Sequence, residues 1–349
     1  MWNNNTLIGQ HIERTNRNLF LSNLAIVATV LGLGVFTGRY WYNFFLGPFN
    51  IDASTLHGIK DLETTNQYFV KVTGEKSFNT GLQQISQSKD KYTDKVKSET
   101  VKANYLVLLV SGRILIIKAN PNSNTGTEFT GQLVNLPDDV SNELVKIAGN
   151  PDIKTAFLPV MLETDGFHTA GYFGLGIGLP LLLFGGWNLL KYKQRKDDPK
   201  KHPIMQSIAQ YGEPELIAGN IESEFQINSK YTLGDLTMIP SWFFRKTTFG
   251  LDILRLQDVV WSYKKITQHY TNGIPTGKSF TVLVYNQAGN LLEFPVKNEA
   301  QADEVIIEIA TRVPWISVGF SPELQELWDK HKNDFIAGVN ERKIAMENE

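Results

Sequence analysis

Two uncharged apolar runs, Leu19–Phe36 and Thr169–Leu190, constrain this chain more than any other feature of its 349 residues. The first reads LFLSNLAIVATVLGLGVF and the second TAGYFGLGIGLPLLLFGGWNLL. As helices both suffice to cross a hydrocarbon core of ~30 Å, the first near the lower limit. Arg39-Tyr40-Trp41-Tyr42 and Phe44-Phe45 follow the first run and read as an interfacial aromatic belt. A cleaved signal peptide is the rival reading of that run, but no small-x-small site precedes Arg39. A buried core helix is the rival reading of the second. Its six glycines and Pro180 are costly in a soluble helix and tolerated in a membrane.

Flanking charge sets the expected orientation. Arg14 and Arg17 precede the first run, and Lys191, Lys193, Arg195, Lys196, Lys200 and Lys201 follow the second. Only Arg39 stands close to either run on the loop side. The positive-inside rule therefore predicts both termini in the cytoplasm. The predicted order is a cytoplasmic N-terminus (1–18), a first span (19–38), an extracytoplasmic β-rich domain (47–168), a second span (169–190), a basic linker (191–202) and a cytoplasmic domain (203–345). Ala28, Gly32, Gly34 and Gly38 in the first span, and Gly174 and Gly178 in the second, stand four apart in pairs. Such pairs let helix backbones approach in lipid, within one hairpin or between copies. Neither span holds an ionisable residue, which weakens a transporter or voltage-sensor reading.

Between the spans, Gln67–Thr73, Tyr105–Val110, Arg113–Ala119, Glu128–Val134 and Phe157–Glu163 read as strands, and Asp138–Ile147 as a helix ended by Gly149. This order predicts a small OB-like β-barrel. The polar stretch Ser86–Lys102, with Lys89, Lys91, Lys95, Lys97 and Lys102, reads as a solvated loop or exposed helix. After the linker, Pro203–Tyr211 reads as a short helix. Leu236–Lys246, Leu251–Leu256, Val259–Gln268, Ser279–Asn286 and Leu291–Val296 then read as strands. Glu299–Arg312 reads as an amphipathic helix with Ala302, Val305, Ile306 and Ile309 on its apolar stripe. A last helix is predicted from Ser321-Pro322 to about Lys343.

Antiparallel strands closed by a C-terminal helix are the plan of a pleckstrin-homology-like (PH-like) barrel. The fold class expected is thus membrane-anchored α+β: a two-helix hairpin, an OB-like domain outside and a PH-like domain with C-terminal helices inside. Leu233-Gly-Asp-Leu-Thr, Thr248-Phe-Gly-Leu, Asp258-Val-Val-Trp-Ser-Tyr-Lys-Lys-Ile-Thr-Gln-His, Ile274-Pro-Thr-Gly-Lys-Ser-Phe and Pro314-Trp315 make the last third of the chain resemble an uncharacterised bacterial membrane-protein family with such a domain. The resemblance implies a bacterial inner-membrane location and a non-enzymatic role. It carries over no catalytic residue.

Chemistry is bounded mainly by exclusion. With no cysteine, the chain has no disulfide, thiolate zinc site, iron–sulfur cluster or cysteine nucleophile. Its 34 Lys+Arg against 36 Asp+Glu give no support to a nucleic-acid partner. The histidines lack metal-motif spacing, and no cofactor is expected. Gly273-Ile-Pro-Thr-Gly277-Lys278-Ser279 resembles a phosphate loop but is one residue short and leads into a strand, so a hairpin loop is the better reading. Strand alternation puts Trp261, Tyr263 and Lys265 on one face and Lys264 on the other. With Arg245, Lys246 and Lys278, these lysines form a candidate basic patch for membrane lipid or a protein partner. The function expected is a binding or scaffold module, or alternatively an accessory subunit of a larger membrane complex.

Overall fold

The computed structural model describes residues 6–89, 96–123, 125–227 and 229–348. It divides into two compact units: an inserted unit, Ala25–Gly186, and a terminal unit made of Met1–Leu24 and Trp187–Glu349. The divisions fall inside the two longest helices, α1 (Leu7–Phe36) and a second spanning Phe167–Asp197. Both are long and apolar enough to cross a membrane. Only 6% and 11% of their most apolar stretches are buried, so those stretches are not core helix of either unit.

In the inserted unit, α1 breaks at Thr37 into α2 (Gly38–Leu46). Then follow β1 (Phe49–Ile51), α3 (Ala53–Gly58), β2 (Phe69–Thr73), β3 (Lys76–Lys89), β4 (Val96–Val110), β5 (Arg113–Ala119), β6 (Glu128–Asn135), α4 (Asp138–Ala148), β7 (Phe157–Glu163) and α5 (Phe167–Asp197). The strands form one mixed seven-stranded sheet of order β1-β2-β6-β7-β5-β4-β3, with β1·β2 and β5·β7 parallel. One face buries Val70, Leu106, Leu108, Leu115 and Leu162 with Leu56 of α3. The other buries Tyr105, Ile116 and Met161 beneath Val140 and Leu144 of α4. Gly149, at φ 66°, ends α4 in the left-handed conformation that glycine adopts freely.

The expected OB-like barrel is therefore corrected to an open sheet. Closure would require the edge strands β1 and β3 to pair, but β1 pairs with β2 and β3 with β4. Separate elements already cover both faces. The expected loop or helix over Ser86–Lys102 is corrected too: its described residues are the far ends of the long β3–β4 hairpin. Polar cross-strand contacts support that pairing, as where Gln87 Nε2 donates to Glu99 Oε1 at 2.7 Å. Lys91 and Lys95 lie outside the described residues.

The terminal unit continues with α6 (Pro203–Ala209), α7 (Pro214–Phe225), β8 (Tyr231–Leu233), β9 (Leu236–Met238), β10 (Trp242–Lys246), β11 (Leu251–Arg255), β12 (Val259–Thr271), β13 (Ile274–Asn286), β14 (Leu291–Val296), α8 (Glu299–Arg312), β15 (Ser317–Val318), α9 (Pro322–Lys330) and α10 (Lys332–Glu347). Its two four-stranded sheets have the orders β11-β10-β9-β8 and β14-β13-β12-β15. Period-two alternation sorts their side chains into three layers. Leu236, Met238, Phe243 and Leu254 of the first sheet meet Val259, Val282, Val284 and Phe294 of the second, with Ala302, Val305, Ile306 and Ile309 of α8. The opposite face of the first sheet puts Trp242, Phe244 and Ile253 against Ile8 of α1, Ile204 and Ile208 of α6 and Ile221 of α7. The opposite face of the second puts Trp261, Tyr263 and Tyr285 against Trp328 of α9 and Phe335 and Val339 of α10.

Neither sheet closes into a barrel, so the PH-like expectation is corrected to two open sheets sharing a core. β8 pairs with β9 and β14 with β13, and among the described residues no ladder joins the sheets. The single last helix of the sequence reading is two, because His331 leaves the helical region at φ −135°, ψ 48°.

Candidate functional site

The five predicted basic residues do not form one patch. Arg245 is neutralised: its Nε donates to Asp252 Oδ2 at 2.6 Å, and Nη1 reaches the Glu293 carbonyl. Nζ of Lys264 lies 2.7 Å from Glu299 and 2.8 Å from Asp303, so α8 compensates it. Those carboxylates hold its pKa above the ordinary lysine range. Lys246 makes no ion pair among the described residues; with Arg245 and Lys297 it lines an open cleft of about 610 Å³ beside β14.

Lys265 and Lys278 stand on a protruding arm. β12 and β13 are each thirteen residues long, and their sequence-proximal and distal parts differ sharply. Val259–Tyr263 is buried, whereas the strands beyond Lys265 are mostly exposed on both faces. The arm ends in a two-residue turn, Asn272-Gly273, at φ 52° and 82°, the left-handed pair that suits the twist of a hairpin. Lys265 pairs with Thr281 and Gln268 with Lys278. Alternation therefore puts the two lysines on opposite faces of the arm. Between and beyond them Ile266, Tyr270 and Ile274 are 42%, 63% and 67% exposed. Exposed apolar and basic side chains thus share one ribbon.

Among the predicted helix-packing residues, Gly32, Gly34 and Gly38 have open space where a Cβ would stand, and Ala28 is exposed. On α5 the situation is reversed. A Cβ on Gly174 would lie 3.3 Å from the Trp41 ring, and one on Gly178 3.5 Å from Val30. Gly171, which the four-residue spacing misses, is the tightest: a Cβ there would overlap the Phe44 ring. The glycine face of α5 thus receives large side chains of α1 and α2 rather than a second small stripe.

Sequence reasoning also missed a buried polar link at the start of α1. His202 precedes α6, and its Nδ1 accepts from the Ile204 amide at 3.1 Å, capping that helix. The ring proton of neutral His202 must then sit on Nε2, which donates to Thr15 Oγ1 at 3.0 Å. Thr15 in turn donates to the His11 carbonyl at 2.9 Å. Burial, and secondarily Arg195, pushes the His202 pKa down to about 4. Burial, then Arg14 and Lys246, does the same for His11, also to about 4. Further along, Asn188 Nδ2 of α5 donates to Asn23 Oδ1 of α1 at 3.0 Å. Among the described residues no group of three His, Asp or Glu side chains is placed to hold a metal ion.

The architecture is that of an α+β protein with two long apolar helices and a two-sheet terminal unit. Within that unit, residues 200–328 match the family described as a domain of unknown function (DUF6709). The match runs from the turn before α6 into α9 and includes the arm. No curated protein matches the chain.

Proposed function

We propose that this chain is a non-enzymatic two-span membrane protein that acts as a binding or scaffold module. Both termini lie in the cytoplasm, most simply at a bacterial inner membrane. The terminal unit then serves as a two-sheet docking domain, and the inserted unit faces outward. The observation that carries this reading is the β12–β13 arm, whose Lys265, Ile266, Tyr270, Ile274 and Lys278 side chains are exposed on a ribbon extending from a well-packed core. Two features support the topology: the exposed apolar surface of α1 and α5, including Val35, Phe36, Leu183 and Phe184, and the bases that flank them.

A cysteine-free chain makes the test direct. In intact cells an impermeant maleimide is expected to label an Asn122→Cys variant and to spare Tyr270→Cys until the membrane is opened. A photo-crosslinker attached to the Tyr270→Cys variant is then expected to capture lipid or one recurrent protein. Labelling of both positions, or no adduct, overturns the reading. The open glycine face of α1 favours a second reading, an accessory subunit whose helix packs on another chain. A monomeric mass in mild detergent excludes it.

A further inference from the structure

Where α1 and α5 leave their apolar stretches inside the terminal unit, a groove of about 460 Å³ opens between them. Asn16, Arg17 and Phe20 line it from α1, and Tyr192, Arg195 and Lys196 from α5. Glu13 is the one acid in its wall. Arg17, Arg195 and Lys196 make no ion pair among the described residues, in contrast to Arg245 and Lys264. The groove therefore carries two uncompensated positive charges. Arg195 is half-buried, and burial lowers its pKa, as expected of a cation held without a counterion.

Asn16 supplies an independent observation. Its side chain lines the groove and the residue is 8% exposed, yet its Oδ1 has no hydrogen-bond donor. A buried acceptor is costly to leave without a donor. The groove also lies at a chemical boundary. Phe20 and Tyr192 pack at 4.9 Å between ring centroids. Leu19 begins the uncharged run of α1, and Leu190 ends that of α5. A ligand seated here meets cations at one end and apolar helix surface at the other.

We propose that this groove binds one anionic glycerophospholipid of the phosphatidylglycerol type. The phosphate sits among Arg17, Arg195 and Lys196, with the arginines suited to paired contacts to its oxygens. A headgroup hydroxyl donates to Asn16 Oδ1, and the acyl chains leave past Phe20 and Tyr192 along the helices. The site rests on the reading of α1 and α5 as membrane spans. It differs from diffuse attraction of anionic lipid to basic residues in being stoichiometric and in reading the headgroup as well as its charge.

The test is native mass spectrometry of the full chain in mild detergent, titrated separately with phosphatidylglycerol, phosphatidic acid, phosphatidylcholine and soluble glycerol 3-phosphate. One retained phosphatidylglycerol is expected, favoured about ten-fold over phosphatidylcholine. An Arg17→Gln/Arg195→Gln double variant is expected to lose that preference. Should it not fold, Lys196→Gln, at an exposed position, is expected to weaken retention about three-fold. Asn16→Leu is expected to keep the thermal midpoint while losing the preference for phosphatidylglycerol over phosphatidic acid. Equal retention of phosphatidylglycerol and phosphatidylcholine, or retention unchanged by these substitutions, overturns the site. Glycerol 3-phosphate binding as tightly as the lipid assigns the groove to a soluble phosphate and overturns the lipid claim. Extraction of the wild-type chain from membranes by alkaline carbonate overturns the span reading itself; a chain that stays integral yet shows no lipid preference overturns the groove alone.

Discussion

Nε2 of His202 stands 3.0 Å from Oγ1 of Thr15, across 187 positions of sequence. The contact joins the first turns of α1 to the cap of α6, and that cap requires a neutral ring. Protonation would place a hydrogen on Nδ1, which at present accepts from the Ile204 amide.

Stability is accordingly expected to depend on pH. The folded pKa values of His202 and His11 are both depressed, to about 4 from 6.5. The unfolded chain then binds more protons between those values. The contribution is complete above pH 6.5 and is lost as pH falls toward 4, at up to ~1.4 kcal/mol per pH unit for each ring. Thermal unfolding of the detergent-solubilised chain across this window should show the decline. His202→Gln should reduce the slope by about half, the His11 share remaining. A midpoint independent of pH would contradict the buried neutral ring.

Gly171→Leu is expected to separate α5 from α2. The new side chain has no room beside the Phe44 ring, and overpacking of this kind costs about 1–3 kcal/mol. Gly34→Ala, at an open position, should leave the midpoint unchanged. Equal effects at the two positions would sink the packing assignment.

The aromatic layer beneath α9 and α10 should be sensitive to truncation. Trp328 lies 5.0 Å from Tyr285 and 5.4 Å from Phe335 between ring centroids and is buried. Trp328→Ala should cost about 3–5 kcal/mol and expose the C-terminal helices to limited proteolysis. Protection equal to wild type would argue against this layer holding them.

Charge reversal on the arm separates docking from folding. Lys265→Glu with Lys278→Glu touches no ion pair among the described residues, so the thermal midpoint should move little. The yield of photo-crosslinks from the arm should fall about ten-fold if its partner is anionic. An unchanged yield would remove charge from the recognition.

The hydrogen bond from Asn188 to Asn23 gives a smaller effect. With α1 and α5 as the proposed spans, Asn188→Leu should cost about 0.6–2 kcal/mol in detergent or bilayer, the range for polar contacts between membrane helices. Reversible unfolding titrations would measure it.

Local structure was legible wherever burial imposes a period. The stripe Ala302, Val305, Ile306 and Ile309 marked α8, and its bounds Glu299–Arg312 are those of the structure. Arg113–Ala119 and Phe157–Glu163 likewise coincide with β5 and β7. The far ends of the β3–β4 hairpin were not legible, because strand segments that bury neither face show no alternation. Sheet closure was not legible either, since edge pairing depends on topology rather than on any strand's pattern. The basic patch dissolved for a related reason. Lys264 finds Asp303 39 positions away, and nothing local to Lys264 foretells a partner on a later helix. Gly171 was missed because its constraint is the Phe44 ring, a large neighbour that spacing rules for small residues do not look for.

The placement of Ile8 in the core with Ile204, Met205 and Trp242 bears on how the chain is made. The Leu7 amide donates to Glu222 Oε2 at 2.7 Å, a partner 215 positions later. During synthesis the first helix leaves the ribosome long before the strands and helices that will receive it. The inserted unit can complete its own packing in that interval, whereas the terminal unit cannot mature until nearly the whole chain has emerged. Contacts so distant in sequence are expected to slow its assembly relative to that of the inserted unit.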